Sequence, residues 1–153
     1  MSPIESSASL IERIPQRPPF LFISRIAELG ESEIVTEWDV DPAADFLRGH
    51  FPGTPLVPGV ILIECALQAG AALLAGEAAD VSGASGGSVQ VVTKVEEARF
   101  KRMVRPGETV RCRATLTERL GPARYFKALL TVGEATAARL SFVVAAARPG
   151  SEA

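Results

Sequence analysis

Residues 49–64 read GHFPGTPLVPGVILIE and place a histidine, a loop rich in proline and glycine, and a glutamate close together in the chain. His50 is the only histidine present. Imidazole is the side chain whose ordinary pKa lies nearest neutrality, so a positioned histidine can take up and release protons. A single histidine on a loop is more often a surface or capping group, and His50 therefore predicts catalysis only together with neighbouring groups.

A carboxylate and an amide share one face of the apolar run that follows this loop. Glu64 and Gln68 are the only strongly polar side chains between Val60 and Leu74, and their spacing puts them on the same side of a helix. Burial disfavours the charged form of a carboxyl group, so Glu64 is predicted to have a raised pKa and to act as a general acid. The alternative is a structural glutamate that reaches solvent or makes a hydrogen bond.

Gly59 adds a third element, because it is predicted to lie in the first turn of that helix. Its N–H has no partner within the helix, and the helix dipole favours negative charge there. Such an N–H can stabilise an oxyanion or enolate that grows from a carbonyl. A base, an acid and an oxyanion site together suit proton removal next to a carbonyl with loss of a leaving group on the following carbon.

Other chemistries fit the sequence less well. No GxSxG motif occurs, and no serine stands with a histidine and a carboxylate at plausible positions, which argues against serine hydrolysis. A chain with one histidine shows no cluster that resembles a metal site. No GxGxxG follows a predicted strand and no GxxxxGK(S/T) occurs, so nucleotide cofactors are not expected.

The elements that must position these residues form an α+β pattern in a chain of 153 residues, a length that fits one domain. Two β-type runs separated by Gly30 predict a hairpin, PAADFLRG predicts a short helical turn, and a long helix is expected from Pro58 to about Gly76. Four strand-like runs follow, separated by the turns RPGE, LGPA and VGEA. We therefore predict an antiparallel sheet packed on one helix. The six runs are FLFISRIAELG, EIVTEWDVDP, SVQVVTKVEEARFKRMV, ETVRCRATLTERL, RYFKALLTV and ATAARLSFVVAAA.

The chain ends and the segment after the helix are expected to be irregular. The stretches MSPIESSASL and ARPGSEA are predicted to be frayed, which leaves an ordered core of about residues 11–147 in a single domain, 1–153. The segment GEAADVSGASGG, residues 76–87, is predicted to be a flexible connection.

The apolar run VILIECALQAGAALLAG is predicted to be a buried helix rather than a membrane span. It carries Glu64 and Gln68 at its centre, where an ionised group in a bilayer would be costly. The N-terminus lacks the pattern of a secretory signal, and two cysteines, Cys65 and Cys112, do not predict a disulfide framework. The cytoplasm is the expected location.

Charge is distributed unevenly along the chain. The net charge of −2 argues against general nucleic-acid binding. The segment from Arg99 to Arg113 nevertheless carries six basic residues against one acid, Glu108, and is either a solvated strand face or a docking surface for an acidic partner. The six are Arg99, Lys101, Arg102, Arg105, Arg111 and Arg113.

The segment GHFPGTPLVPGVILIE resembles the active-site signature of the FabZ-type β-hydroxyacyl-acyl carrier protein dehydratases of fatty-acid synthesis, which have a hot-dog fold. IPQRPPFLFISRI resembles that family's entry segment, and ARFKRMVRPGETV resembles its strand-turn-strand segment with a central PG. The matches extend from about Ile11 to about Ala147. In the central motif the histidine, HFP, PxxPG and the glutamate are all in register.

This resemblance implies roles for four residues. His50 would take the proton from C2, Glu64 would help the 3-hydroxyl leave as water, the Gly59 N–H would bind the thioester carbonyl, and Gln68 would orient Glu64. The resemblance implies no metal or redox cofactor, and it implies a substrate carried on the phosphopantetheine arm of acyl carrier protein. In this family the histidine and glutamate of one site come from different subunits of a homodimer, and three dimers often form a hexamer. The acyl chain would lie in an apolar tunnel at the dimer interface.

The resemblance also implies a docking surface for the acidic carrier protein. It would be formed by Arg99, Lys101, Arg102 and Arg105. Two positions depart from the family pattern, because Gln16 stands where a histidine is usual and Ser24 where an aspartate is usual. Neither belongs to the catalytic pair, so both are expected to alter local hydrogen bonding only.

Three other functions stay open at this point. A thioesterase of the same fold would need a carboxylate to direct water at the thioester carbonyl, but would not need His50 beside Glu64. Isomerisation to a cis-3 product is typical of related bifunctional enzymes, which carry aspartate where Glu64 stands. A non-catalytic acyl- or lipid-binding paralogue would keep the tunnel and lose the pair, which is retained here.

Overall fold

A computed structural model describes residues 7–80 and 89–147. In these ranges the chain forms three helices and six strands. The helices are α1 (Ser7–Arg13), α2 (Asp45–Gly49) and α3 (Gly59–Asp80). The strands are β1 (Arg25–Leu29), β2 (Glu33–Asp39), β3 (Val89–Phe100), β4 (Thr109–Leu120), β5 (Ala123–Val132) and β6 (Ala135–Ala147).

The six strands form one antiparallel sheet in the order β1-β2-β4-β5-β6-β3. Tight turns at Gly121 and Gly133 join β4, β5 and β6, and their positive φ values of 57° and 58° suit glycine. β3 lies at the far edge beside β6, where Phe100 stands opposite Ala138. The predicted order of two strands, one long helix and four strands is confirmed.

α3 packs against one face of this sheet and contacts β2 to β6. Its small residues allow a close approach: a Cβ placed on Gly70 would lie 3.0 Å from the Phe142 ring. Phe142 in turn stacks on Phe126, with ring centroids 5.0 Å apart. By length and hydropathy alone the stretch Gly59–Glu77 could also cross a membrane, with a mean hydropathy of 1.8. Its packing against five strands is that of a core helix, as the sequence predicts.

Two expected boundaries on the N-terminal side are wrong. Residues 7–10 were expected to be frayed but are helical, because α1 begins at Ser7. Leu10, one residue before the predicted ordered region, is buried in the core. β1 begins only at Arg25, since the main-chain N–H and carbonyl of Phe22 are bound by the side chains of Gln68 and Cys65 of α3 instead of by a neighbouring strand. The residue types of the FLFIS segment favour an extended chain, but they do not show whether its main chain bonds to a neighbouring strand or to side chains of a helix.

The end of the long helix is also later than predicted. α3 continues past Gly76 to Asp80, and Glu77 in this extension is paired with Arg119 of β4. The ion pair and the helix-forming residues of EAAD together explain why Gly76 does not end the helix. The rest of the predicted connection, residues 81–87, lies outside the described residues.

β3 leaves an exposed apolar edge in the single chain. It is 12 residues long, and only β6 pairs with it among the described strands. Val91, Val92 and Val95 are exposed by 38%, 45% and 40%. Long apolar edge strands are templates for pairing with another chain, so this edge favours association.

Candidate active site

His50 follows α2 at the start of a loop that is closed by its own main chain. The Leu56 N–H donates to the His50 carbonyl at 2.8 Å, and the Thr54 N–H donates to the Phe51 carbonyl at 3.1 Å. The Val57 N–H donates to the Val104 carbonyl at 2.8 Å, which connects the loop to the segment between β3 and β4. The prolines and glycines of this segment thus form a shaped loop, as predicted, and present the histidine at its beginning.

The His50 ring is half-buried and oriented by two neighbours. Nδ1 lies 3.0 Å from the Leu56 carbonyl oxygen, and the ring stacks on Phe51 with centroids 4.4 Å apart. A carbonyl oxygen can only accept, so Nδ1 must carry the hydrogen. In the neutral imidazole the lone pair is then on Nε2, which is the nitrogen available to remove a proton.

Gln68 is fully buried and connects Glu64 to the segment before β1. Its Oε1 accepts from the Phe22 N–H at 2.8 Å, which leaves Nε2 to donate to the Phe20 carbonyl and to Glu64 Oε1, both at 3.1 Å. Because an N–H can only donate, the Phe22 main chain determines which way the amide points. Glu64 therefore receives a hydrogen bond from a donor that cannot rotate.

Glu64 itself is half-buried on α3. Burial raises the pKa of its carboxyl group, and the hydrogen bond from Gln68 acts in the opposite direction. The net direction is upward, as the apolar sequence around Glu64 predicts. A carboxyl group of this kind retains its proton to higher pH than an exposed glutamate and can serve as an acid.

Gly59 is the first residue of α3 and lies beside a pocket of about 810 Å³. Within the described residues, its N–H has no hydrogen-bond acceptor, because the first helical bonds run from Ile61 and Leu62 to the Pro58 carbonyl. The pocket is lined on this side by Val60, Ile63 and Phe100. An unpaired N–H group on a residue that lines such a pocket is suited to bind a carbonyl oxygen.

The basic segment divides into paired and unpaired residues. Arg102 makes two hydrogen bonds to Glu108, at 2.7 and 3.2 Å, and these lower the pKa of the glutamate. Arg111 pairs with Glu28 and Glu37, and Arg113 pairs with Glu33 and Glu28. The local excess of positive charge is therefore smaller than the sequence suggests.

Three members of the segment make no ion pair with any described residue: Arg99, Lys101 and Arg105. Lys101 and Arg105 line the same pocket as Gly59, whereas Arg99 does not. Arg99 stands opposite Arg139 of β6, and both side chains are exposed. Arg139 was missed by sequence analysis, because only the β3–β6 register places it beside the basic segment.

The structure thus brings some predicted residues together and separates others. Glu64 and Gln68 share a hydrogen bond, and Gly59 shares a pocket with Lys101, Arg102 and Arg105. Within the described part of a single chain, His50 makes no hydrogen bond to Glu64, and neither residue lines that pocket.

The two departures from the family pattern lie apart from these groups. Ser24 Oγ accepts from the Asp39 N–H at 2.9 Å, so it supports the β1–β2 pairing. Gln16 Oε1 is buried and has no partner among the described residues. Neither side chain contacts His50 or Glu64 through a hydrogen bond.

Comparisons with known proteins identify relatives over almost the whole chain. Residues 14–140 match the model of the FabA-like domain family. A 3-hydroxyacyl-[acyl-carrier-protein] dehydratase FabZ from Bacillus pumilus is 36% identical over 86% of this chain and 90% of the relative. The proteins of the same name from Levilactobacillus brevis and Caulobacter vibrioides are each 33% identical, covering 93% and 95% of this chain and 95% and 91% of the relatives.

Solved structures agree on the fold. The dehydratase heterocomplex ApeI:P from Xenorhabdus doucetiae gives a TM-score of 0.78 over 92% of this chain and 91% of that chain, at 11% identity. An uncharacterised protein from Pyrococcus horikoshii gives 0.62 over 95% and 94%, at 21% identity. The antiparallel sheet packed on one long helix is the hot-dog fold, and with the family match and the curated relatives it shows that the chain belongs to the FabA-like dehydratase family.

Proposed function

We propose that this protein dehydrates (3R)-hydroxyacyl-acyl carrier protein to trans-2-enoyl-acyl carrier protein in the synthesis of fatty acids or related acyl chains. The observation that carries the proposal is the similarity to curated dehydratases over nearly the full length of both chains, with the histidine and glutamate of the motif present. The protein is a hydro-lyase, as are the dehydratases it resembles. We expect it to act in the cytoplasm.

The geometry supports a mechanism of two proton transfers. The thioester carbonyl accepts a hydrogen bond from the Gly59 N–H, which stabilises the enolate that forms when His50 Nε2 removes a proton from C2. The protonated Glu64 then donates to the 3-hydroxyl group, which leaves as water while the C2–C3 double bond forms. Gln68 holds the Glu64 carboxyl group in position. These steps break the C2–H and C3–O bonds and release water with no net oxidation or reduction, so no redox cofactor is needed, and we propose that no metal is used.

We further propose that the active unit is a homodimer in which His50 and Glu64 of one site come from different chains. Two features support this: the pair is not hydrogen-bonded within one chain, and β3 presents an apolar edge. Pairing of two such edges would bury the valines and satisfy main-chain groups. Assembly of three dimers into a hexamer is the corresponding expectation for the larger complex.

The carrier protein is proposed to bind at the unpaired basic residues. Lys101 and Arg105 lie at the pocket and their side chains make no ion pair with a described residue, so they can attract acidic groups, whereas Arg102 is paired with Glu108. Arg99, with Arg139 opposite it, extends this positive surface along the sheet edge. We expect Arg102 to contribute less to docking than its position in the sequence suggests.

The direct test is to mix the purified protein with a crotonyl-type enoyl thioester on carrier protein and, separately, with the 3-hydroxy counterpart. Absorbance of the conjugated enoyl group and release of free thiol are followed together. Interconversion without thiol release is the expected result. Thiol release would instead identify a thioesterase, and tight acyl binding without either reaction would identify a non-catalytic acyl-binding protein.

Sharing of the site between chains is tested by mixing two inactive variants, His50→Ala and Glu64→Gln, and letting the subunits exchange. A mixed dimer has one site with both residues intact only if the residues come from different chains. Random exchange should then restore about a quarter of the wild-type rate. An exchanged mixture that stays inactive would show that each chain supplies its own pair.

A further inference from the structure

Glu97 of β3 has a left-handed backbone conformation, with a φ of 52°. Among residues 7–80 and 89–147 it is the only residue other than glycine with a positive φ. This conformation is unfavourable for a residue with a Cβ atom and is usually found at glycine or asparagine. The Glu97 side chain is exposed and has no hydrogen-bond or ion-pair partner among the described residues, so it does not stabilise this conformation itself.

The left-handed residue lies in a β-bulge. Glu96 stands opposite Ser141 and Arg99 stands opposite Arg139, so three steps along β3 match two steps along β6. β3 therefore contains one extra residue between these pairs. A left-handed residue lets a strand absorb such an extra residue, and glycine is the usual choice there. A strained residue of another type persists only where the surrounding structure requires its conformation.

The bulge determines which residue at the end of β3 faces the start of α3. Phe100 stands opposite Ala138, which is buried in the core, and the Phe100 ring lies beside Gly59. Side chains alternate between the two faces of a sheet, so a shift of one residue exchanges the faces. Without the extra residue, Lys101 would stand opposite Ala138, and Phe100 would stand opposite the exposed Arg139.

The segment directly after the bulge forms one side of the candidate-site pocket. All of residues 100–105 line this pocket of about 810 Å³. Main-chain hydrogen bonds hold the segment: the Lys101 N–H donates to the Ala137 carbonyl at 2.7 Å, and the Val57 N–H donates to the Val104 carbonyl at 2.8 Å. The register at the end of β3 therefore reaches the pocket through the main chain and does not depend on one side chain.

We propose that Glu97 is a positioning residue, whose left-handed conformation holds the bulge that aligns residues 100–105 with the start of α3. The inference rests on the proposed function, since it takes the Gly59 N–H in this pocket as the carbonyl site. It adds a residue that does not itself line the pocket. The position requires the backbone conformation and not the carboxylate.

The test compares Glu97→Gly, Glu97→Gln and Glu97→Val with the wild type on the 3-hydroxybutyryl thioester of N-acetylcysteamine. An ordinary strand position favours valine over glycine, whereas a left-handed position reverses this order. Glu97→Gly and Glu97→Gln should therefore keep the kcat and KM of the wild type, and Glu97→Gly should melt no lower. Glu97→Val should lower kcat/KM about 10- to 100-fold, the scale expected when a site is misplaced by about 1 Å.

Glu96→Val is the matched control, because it makes the same replacement at the preceding exposed residue, which does not have a positive φ. It breaks only the exposed ion pair with Lys94 and should keep the kcat and KM of the wild type. Rates are compared at a temperature well below the lowest melting temperature of the series. If Glu97→Val does not fold, Glu97→Thr takes its place, since threonine is also branched at Cβ.

Three results would overturn the inference while the dehydratase activity of the wild type stands. These are a normal kcat/KM in the variant with a branched residue at position 97, an equal loss in Glu96→Val, and an equal loss in Glu97→Gly. A wild type that is inert on both this thioester and carrier-linked substrate would overturn the proposed function and this inference with it.

Discussion

The two halves of the proposed site are held in opposite ways. His50 is half-buried on a loop, and one main-chain carbonyl, that of Leu56, determines its tautomer. Glu64 is on the core helix, where a fully buried amide, Gln68, connects it to the main chain before β1. The base thus depends on a local loop, whereas the acid depends on contacts between distant parts of the chain.

The difference follows from what each group must do. A base needs an accessible lone pair, so His50 keeps Nε2 free and is oriented through Nδ1 alone. An acid must retain its proton near neutral pH, which requires burial, and a buried polar network is stable only when its members have partners. Changes on the His50 side should therefore affect chemistry alone, and changes on the Glu64 side should affect both chemistry and the stability of the folded protein.

The largest effect is expected from removal of the base. His50→Ala should lower turnover by roughly two to four orders of magnitude. His50→Asn is the matched control, because its amide can still donate to the Leu56 carbonyl but cannot remove a proton at neutral pH. Both variants should be equally inactive, with melting temperatures close to that of the wild type. Near-normal turnover of either variant would remove His50 from the mechanism.

Glu64→Gln should cripple dehydration while the fold is kept, since it conserves volume and can still accept from Gln68. The raised pKa means that Glu64 favours folding below its ordinary pKa and that this contribution is lost as pH rises through the folded pKa. Glutamine does not titrate, so the variant does not lose stability in this way as pH rises. The melting temperature of the variant should therefore rise relative to wild type as pH increases from below the ordinary pKa of glutamate through the raised pKa of Glu64 in the folded protein. A constant difference across this range would argue against a buried, proton-retaining Glu64.

Gln68→Leu should test the long-range support of the acid. It leaves the buried Phe22 N–H without its partner, at a cost of about 1–3 kcal/mol, and removes the weaker support of the Phe20 carbonyl, which belongs to a half-exposed residue. It also removes the hydrogen bond that lowers the Glu64 pKa, so the activity limb that falls as Glu64 deprotonates should move to higher pH.

Thr36→Val is the control for Gln68→Leu. Thr36 is also buried, but its Oγ1 has no hydrogen-bond partner among the described residues. Its replacement should leave both stability and the pH profile almost unchanged. If Gln68→Leu behaves in the same way, the contrast between the two halves of the site is wrong.

The smallest effect is expected from changes that weaken binding of the carrier protein and leave His50 and Glu64 in place. Arg105→Glu should raise KM for carrier-linked substrate about 3- to 10-fold at low salt and less at high salt, and should raise KM for short thioesters by a smaller factor. Lys127→Glu makes the same charge change at an exposed position of β5 outside the pocket and serves as control. Equal losses on both substrate types, or in both variants, would contradict docking at Arg105.

The sequence alone predicted those features of the fold that depend on residues close together in the chain. The motif at residues 49–64 predicts the loop, the start of α3 and the shared face of Glu64 and Gln68, because these depend on residues close together in the chain. Turn residues between apolar runs likewise predict the order of helices and strands along the chain.

Only the tertiary structure decided which distant groups meet. Pairing of Gln68 with Phe22, closure of Phe100 over Gly59 and neutralisation of Arg111 by Glu28 all join residues more than 40 positions apart. Sheet register and helix packing determine such contacts, and neither is encoded in local periodicity. The sequence could therefore name the candidate site residues, whereas the long-range contacts that support them and the ion pairs of the basic segment could not be predicted from it.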